Sequence, residues 1–148
     1  MTETEVNIES LFAEREIYRQ LVRFARGMDE RDWGVLAEIA TDDIRAEFGT
    51  GEIAGAEAVI GVIRSYLDNC GTTQHLLGNV LINVEGDSAT SESYVSDMHL
   101  AKDEQRDIQF RTLGNYSDTW VKRDGQWLLC ERVKNNRALV GTMDVFRP

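Results

Sequence analysis

Three residues carry the chemistry that this sequence offers: two histidines, His75 and His99, and one awkwardly placed carboxylate, Asp29. His75 lies near the start of the stretch Thr72–Val84, which begins polar, ends apolar and is closed by Glu85-Gly86-Asp87, the pattern of a β-strand and turn. Strand alternation puts His75, Leu77 and Asn79 on one face and Leu76 and Gly78 on the other. If the first face lines a cavity, the imidazole is a base within reach of a ligand, since its charge changes near neutral pH. His99 lies in the next run, Ser88–Lys102, where antiparallel pairing can bring it near His75. That run alternates Ala89, Ser91, Ser93, Val95, Asp97 and His99 against Thr90, Glu92, Tyr94, Ser96, Met98 and Leu100. Neither set is wholly apolar, so one faces water and the other a partly polar cavity. Asp29 ends the apolar stripe of an N-terminal helical pattern. A carboxylate there opposes the helix dipole and needs a partner or a purpose.

Other chemistries find little support. By residue type, the two histidines and Asp29 could hold a metal, but no HxH, HxxxH or HExxH spacing exists, so no metal is expected. There is no Gly-x-Ser-x-Gly elbow, no Gly-x-Gly-x-x-Gly and no Walker loop. Neither a serine-hydrolase triad nor a nucleotide cofactor is expected, and the cofactor expectation is none.

The elements that must position these groups follow from periodicity. Apolar residues Ile8, Leu11, Phe12, Tyr18, Leu21, Val22, Ala25 and Met28 predict a helix over Asn7–Asp29, with Arg15, Arg19, Arg23 and Arg26 on the opposite flank. A short helix over Asp32–Ala40 turns Trp33, Leu36 and Ile39 inward. A strand Asp43–Phe48, a turn Gly49-Thr50-Gly51 and a strand Glu52-Ile53-Ala54 come next. A third helix, Ala56–Cys70, has Val59, Ile60, Ile63, Tyr66 and Leu67 as its apolar face.

After the two strands that carry the histidines come Ile108–Lys122 and Gln126–Arg137. Arg123-Asp124-Gly125 forms the last turn and the acidic tract Asp103–Asp107 the middle one. Thr112, Gly114, Tyr116, Asp118 and Trp120 share a face, and Gly114 in mid-strand suits a bulge or room for a ligand. Trp127 and Leu129 pin the final strand, on which Arg132 is a possible charge partner. Helices first and a meander afterwards define an α+β domain spanning 1–148, with a pocket between helices and bent sheet.

Composition narrows the partners. Sixteen basic and 26 acidic residues give a formal charge of −10, which repels phosphate backbones and argues against nucleic acid. No segment approaches the roughly 20 apolar residues that span a bilayer, and Met1–Glu5 lacks the layout of a secretory signal, so a cytoplasmic location is expected. Cys70 and Cys130 resemble neither a CxxC pair nor a metal cluster and read as reduced, buried thiols. The expected partners are a small-molecule substrate and further copies of the chain, as a homodimer or homotrimer. The outer sheet face, with Trp120 and the Ser88 strand, is the expected self-association surface.

Several short motifs together carry a family resemblance. Met28-Asp29-Glu30-Arg31-Asp32-Trp33, Thr73-Gln74-His75, Gly86-Asp87-Ser88-Ala89, Gly114-Asn115-Tyr116-Ser117-Asp118 and Arg123-Asp124-Gly125-Gln126-Trp127 resemble the SnoaL-like branch of the NTF2-like superfamily over nearly the whole chain. The resemblance implies three N-terminal helices packed on a strongly curved, mainly antiparallel sheet that encloses a pocket. Within that branch the chain is similar to scytalone dehydratase, bile-acid dehydratase and hexachlorocyclohexane dehydrochlorinase. This implies an Asp29–His75 dyad, His99 as a second cavity histidine, Tyr116 at a cavity position and Arg132 as an assisting arginine. The chain also departs from these relatives. Met28 and Phe48 stand where scytalone dehydratase has two tyrosines that bind the substrate carbonyl through water, and Phe24 replaces a polar residue of the other two enzymes.

The implied activity is a cofactor-independent lyase, of dehydratase type, on a small apolar, ring-containing substrate. Asp29 fixes the imidazole tautomer, His75 removes a carbon-bound proton, and His99 or Tyr116 serves the leaving group. Phe24, Met28, Trp33, Phe48 and Tyr66 are the expected pocket walls. Two alternatives share the fold: a polyketide cyclase or isomerase using the same pocket, and a non-catalytic binding or assembly domain like the small subunit of ring-hydroxylating dioxygenases.

Overall fold

Asn7 starts the first helix, its side chain accepting a hydrogen bond from the Ser10 amide (2.9 Å) while the Ser10 hydroxyl accepts one from the Asn7 amide (3.0 Å). This reciprocal cap satisfies two of the amides that a helix N-terminus leaves unpaired. The computed structural model describes residues 6–103 and 107–148. The stretch Met1–Glu5, and residues 104–106 of the expected middle turn, lie outside the described residues.

Helix α1 (Ile8–Glu30) is followed by α2 (Trp33–Ile39), β1 (Ala40–Glu47), β2 (Glu52–Ala54) and α3 (Ala56–Leu67). The meander β3 (Thr73–Glu85), β4 (Ser88–Leu100), β5 (Gln109–Arg123) and β6 (Gln126–Gly141) leads to a short 3₁₀ turn, Met143–Phe146. The six strands form one sheet in the order β2-β1-β6-β5-β4-β3, antiparallel throughout except where β1 lies parallel to β6. This is the expected α+β arrangement of three helices on a curled, mostly antiparallel sheet.

The buried stripe of α1 differs in phase from the expected one. Ala13, Ile17, Leu21, Phe24, Ala25 and Met28 face the core, whereas Ile8 (72% exposed), Leu11, Phe12 (61%) and Tyr18 face outward. The first turns carry apolar residues on more than one side, and the stripe that wins is the one continuous with Leu21 and Met28, where the helix meets the sheet. At its C-terminus α1 comes close to α2: a Cβ on Gly27 would lie 2.7 Å from Leu36 Cδ1. The core then runs through Leu36, Ile39, Ile44, Val59, Trp120, Trp127 and Leu129.

Strand phases set what reaches the cavity. On β5, Thr112, Tyr116, Asp118 and Trp120 all point inward. Trp120 is therefore no part of an outer association surface. It is fully buried, and its indole N–H donates to the Ser91 hydroxyl at 2.8 Å. On β3 a bulge between Gly78 and Leu81, with Asn79 at φ 51°, reverses the alternation. Asn79 is exposed rather than sharing the face of His75, and the inward set becomes Leu77, then Val80, Ile82 and Val84. Gly114 does mark a bulge, between Leu113 and Gly114 on the β6 side, and a Cβ there would crowd Asn135 O (3.0 Å) and Lys134 Cε (3.4 Å). Cys70 is buried and Cys130 only half-buried, and both are free thiols. Among the described residues, no helix is long and apolar enough to cross a membrane.

Candidate active site

Helix α1 delivers Asp29 to the start of β3 because its end is clamped there. Arg31 takes the left-handed conformation (φ 58°), and its amide returns to the carbonyls of Gly27 and Met28. An arginine in that conformation lacks the freedom of glycine, but its side chain makes up for this. The guanidinium donates to Met28 O (2.8 Å), to Gly71 O ahead of β3 (2.7 Å) and to the Thr73 hydroxyl (2.8 Å). Thr73 in turn donates to Asp29 Oδ1 at 2.9 Å. The last turn of the helix and the first residues of the strand are thus one hydrogen-bonded unit.

Within it, Asp29 and His75 meet. His75 Nδ1 lies 2.7 Å from Asp29 Oδ1, and the His75 amide donates to Oδ2 at 3.0 Å. Burial alone would raise the pKa of Asp29. Hydrogen bonds from the His75 ring and amide, the His75 charge and the Thr73 hydroxyl outweigh it and hold the carboxyl below its ordinary value. An ionised Asp29 bonded to Nδ1 places the proton there and leaves Nε2 as the nitrogen with a free lone pair.

Beside His75 opens a cavity of about 360 Å³. Phe24, Met28, Phe48 and Tyr66 line it, with His99, Tyr116 and Arg132. Trp33, the fifth expected wall residue, does not. It begins α2, packs on the core from outside and lies under the Arg64 guanidinium at 5.6 Å. The C-terminal segment completes the wall with Leu139, Met143 and Phe146. Phe146 meets Tyr66, His99 and Phe110 edge to face, at centroid distances of 5.3, 5.0 and 5.6 Å.

His99 faces His75 in a T-shaped ring pair, 5.4 Å between centroids. Its Nδ1 lies 3.1 Å from Phe110 O and donates to it in the neutral form. Burial pushes its pKa down to about 4; Asp97 opposes the shift and the nearby His75 adds to it. At neutral pH His99 is an uncharged imidazole whose Nε2 accepts rather than donates. The Tyr116 hydroxyl makes no hydrogen bond to another described residue. Burial holds its pKa far above the ordinary phenol value, so it stays protonated and able to donate. Arg132 is fully buried, paired with Asp118 through two 2.8 Å hydrogen bonds. Its guanidinium sits 3.9 Å from the centroid of the Tyr116 ring and 4.7 Å from that of Phe24.

Several groups escaped the reading of the sequence. Asp97, Thr112 and Lys134 form a closed triangle in the cavity wall. Lys134 Nζ lies 2.6 Å from Asp97 Oδ2 and 3.1 Å from the Thr112 hydroxyl, and Asp97 Oδ1 accepts from the Thr112 amide (2.8 Å) and hydroxyl (2.7 Å). Strand alternation carried the signal, since Asp97 is two residues from His99 and Lys134 two from Arg132. Ligand atoms of His75, Asp97 and His99 lie within 4.8 Å of one another, a different trio from the one weighed with Asp29. A cation held there would have to share Asp97 with the Lys134 ammonium.

Comparison with known proteins gives the family and the fold. Residues 9–133 match the model of the SnoaL-like domain, and the chain belongs to that family. Among curated proteins none matches significantly. Solved structures share the fold at low identity. A provisionally named scytalone dehydratase from Novosphingobium aromaticivorans is 23% identical over 90% of this chain and 89% of its own, with a TM-score of 0.82. The hexachlorocyclohexane dehydrochlorinase LinA-type3 from Novosphingobium barchaimii is 19% identical over 93% and 94%, at 0.79. The Kfla4162 protein from Kribbella flavida is 16% identical over 94% and 99%, at 0.83.

Proposed function

We propose that the chain is a cofactor-independent lyase that removes water, or another leaving group, from a small apolar, ring-containing substrate. The observation that carries this reading is the 2.7 Å contact between His75 Nδ1 and Asp29 Oδ1 beside an apolar cavity. The carboxylate orients the ring and stabilises the imidazolium formed when Nε2 takes a carbon-bound proton. Tyr116 is the group best placed to donate a proton or hydrogen bond to the leaving group, since neutral His99 has its N–H committed to Phe110 O. The dehydratase and dehydrochlorinase named among the structural neighbours are in keeping with elimination chemistry.

The test uses small polycyclic alcohols and enones in deuterated water. Magnetic resonance follows deuterium entering at carbon and the appearance of an eliminated product. The wild type is expected to exchange and eliminate, and His75→Ala and Asp29→Asn to lose roughly 10²–10⁴ of the rate with unchanged circular dichroism. Ligand density beside His75 in a co-crystal is the accompanying expectation. Variants that keep the wild-type rate overturn the dyad, and exchange without elimination turns the reading toward an isomerase.

A further inference from the structure

A lysine inside an apolar cavity is costly unless its charge is met, and Lys134 is met from one side only. An ammonium has three N–H donors. Asp97 takes one and the Thr112 hydroxyl another. No further acceptor for Nζ exists among the described residues, and Lys134 lines the cavity. The pair is also layered. The Asp97 side chain is wholly buried, whereas that of Lys134 is 15% exposed, so the carboxylate stands behind and the ammonium in front. Asp97 is fully engaged, with both Thr112 donors on Oδ1 and Lys134 on Oδ2. Burial alone would raise its pKa, but Lys134 and Thr112 bring it below the ordinary value, so the counter-charge is fixed. The site presented to a ligand is therefore a preorganised N–H donor on a positive centre. Gly114 helps to make this possible, because a Cβ there would press on Lys134 Cε at 3.4 Å.

Lys134 also lines the same cavity as the base. It pairs in register with Tyr116 across β5 and β6, and its partner Asp97 pairs in register with His75 across β3 and β4, one carboxylate oxygen lying within 4.8 Å of a His75 ring nitrogen. His75 and Lys134 line one cavity, so a C–H offered to the first and an oxygen on the adjacent carbon offered to the second can belong to one molecule. We propose that Lys134, held by Asp97 and Thr112, binds the carbonyl oxygen of the substrate, which makes the substrate class a ring ketone with its leaving group β to the carbonyl. This rests on the dyad reading above. His75 takes the α-proton, and the C–H electron pair moves into a carbon–carbon double bond while the carbonyl π pair moves to oxygen as an enolate held by Lys134. The enolate then re-forms the carbonyl, its carbon–carbon π pair becomes the double bond between the α and β carbons, and the β-substituent leaves with its bonding pair. A departing hydroxide, hydrogen-bonded by the Tyr116 hydroxyl, takes the proton from the His75 imidazolium and leaves as water, so the enzyme returns to its starting state. Donors aimed at a developing oxyanion are worth roughly 10²–10³ in rate each.

The test needs no substrate. 4-Nitrophenol, whose absorbance reports its ionisation, and uncharged nitrobenzene of similar shape are titrated into wild type, Lys134→Met, Lys134→Arg and His75→Ala. The wild type is expected to bind the phenolate form at least tenfold more tightly than Lys134→Met does, with nitrobenzene affinity unchanged within about twofold. Lys134→Arg should retain part of the preference. Should Lys134→Met fail to fold, the double variant Asp97→Asn/Lys134→Met, which buries no unpaired charge, gives the same reading. Equal phenolate affinity with and without the lysine overturns the proposal, as does a wild type with no preference for phenolate. Because the probe is supplied at a pH where it is already phenolate and offers His75 no proton to abstract, His75→Ala should keep the phenolate preference. A failed dyad and a failed oxyanion site are thereby told apart.

Discussion

Of the acid–base pairs beside the cavity, Asp29–His75 and Asp118–Arg132 do opposite things. Asp29–His75 joins a helix end to a strand start, is partly open and includes a ring whose second nitrogen makes no hydrogen bond to another described residue. Asp118–Arg132 joins two mid-strand positions, is sealed from water and is closed by two parallel hydrogen bonds between two aromatic rings. A guanidinium holds its proton at any ordinary pH, whereas an imidazole exchanges its own near neutrality. Burial and full hydrogen bonding thus mark the pair that fixes a wall, and a vacant lone pair beside a void marks the pair that can act.

Removing each pair should separate these roles. The largest effect is expected at the dyad, where His75→Ala or Asp29→Asn costs up to about 5 kcal/mol of transition-state stabilisation, read as the deuterium-exchange rate, while Tm stays near that of wild type. At the other pair the effect moves to stability. Arg132→Met leaves Asp118 buried without its partner and should cost about 3–5 kcal/mol, read by urea denaturation. If Arg132→Met instead kept its stability and lost only rate, the contrast would break.

Between the two pairs, His99 gives a pH signature. Its folded pKa of about 4 lies below the ordinary 6.5. As pH falls through 6.5 the unfolded chain takes up a proton that the folded chain refuses. Stability is full above that point and declines toward pH 4, by about 3 kcal/mol. His99→Gln should flatten the denaturation midpoint across this window and leave the steeper loss at lower pH, where Asp29 and Asp97 must protonate. The smallest effect is expected at Thr73→Val, which removes one hydrogen bond to the Asp29 carboxylate. It should slow exchange roughly tenfold and move the acid limb of the pH–rate profile upward, because the ionised form of Asp29 loses support.

Local rules reached some of this. The turns at Gly86 and Asp124-Gly125 were legible because tight hairpins demand positive φ, and these residues adopt it at 60°, 52° and 77°. His75 and Asp29 stood out by type and position, and Phe24, Met28, Phe48 and Tyr66 by their apolar bulk. Non-local features escaped. The parallel β1–β6 pairing depends on how the sheet closes, and the inward path of Leu139, Met143 and Phe146 depends on β6 running on to Gly141 rather than stopping at Arg137. Lys134 stays hidden in the sequence because a lysine reads as surface until the carboxylate that receives it, 37 residues away, stands beside it.

The bulge at Asn79 acts as a phase shifter in β3. It uncouples the half of the strand that aims His75 from the half that anchors Val80, Ile82 and Val84 in the core. Lose or gain one residue at that point and one half of the strand must turn over, with Leu76 driven inward or Val84 driven out. The hinge between chemistry and scaffold is therefore a matter of counting, and a single-residue deletion there should do more harm than most side-chain exchanges nearby.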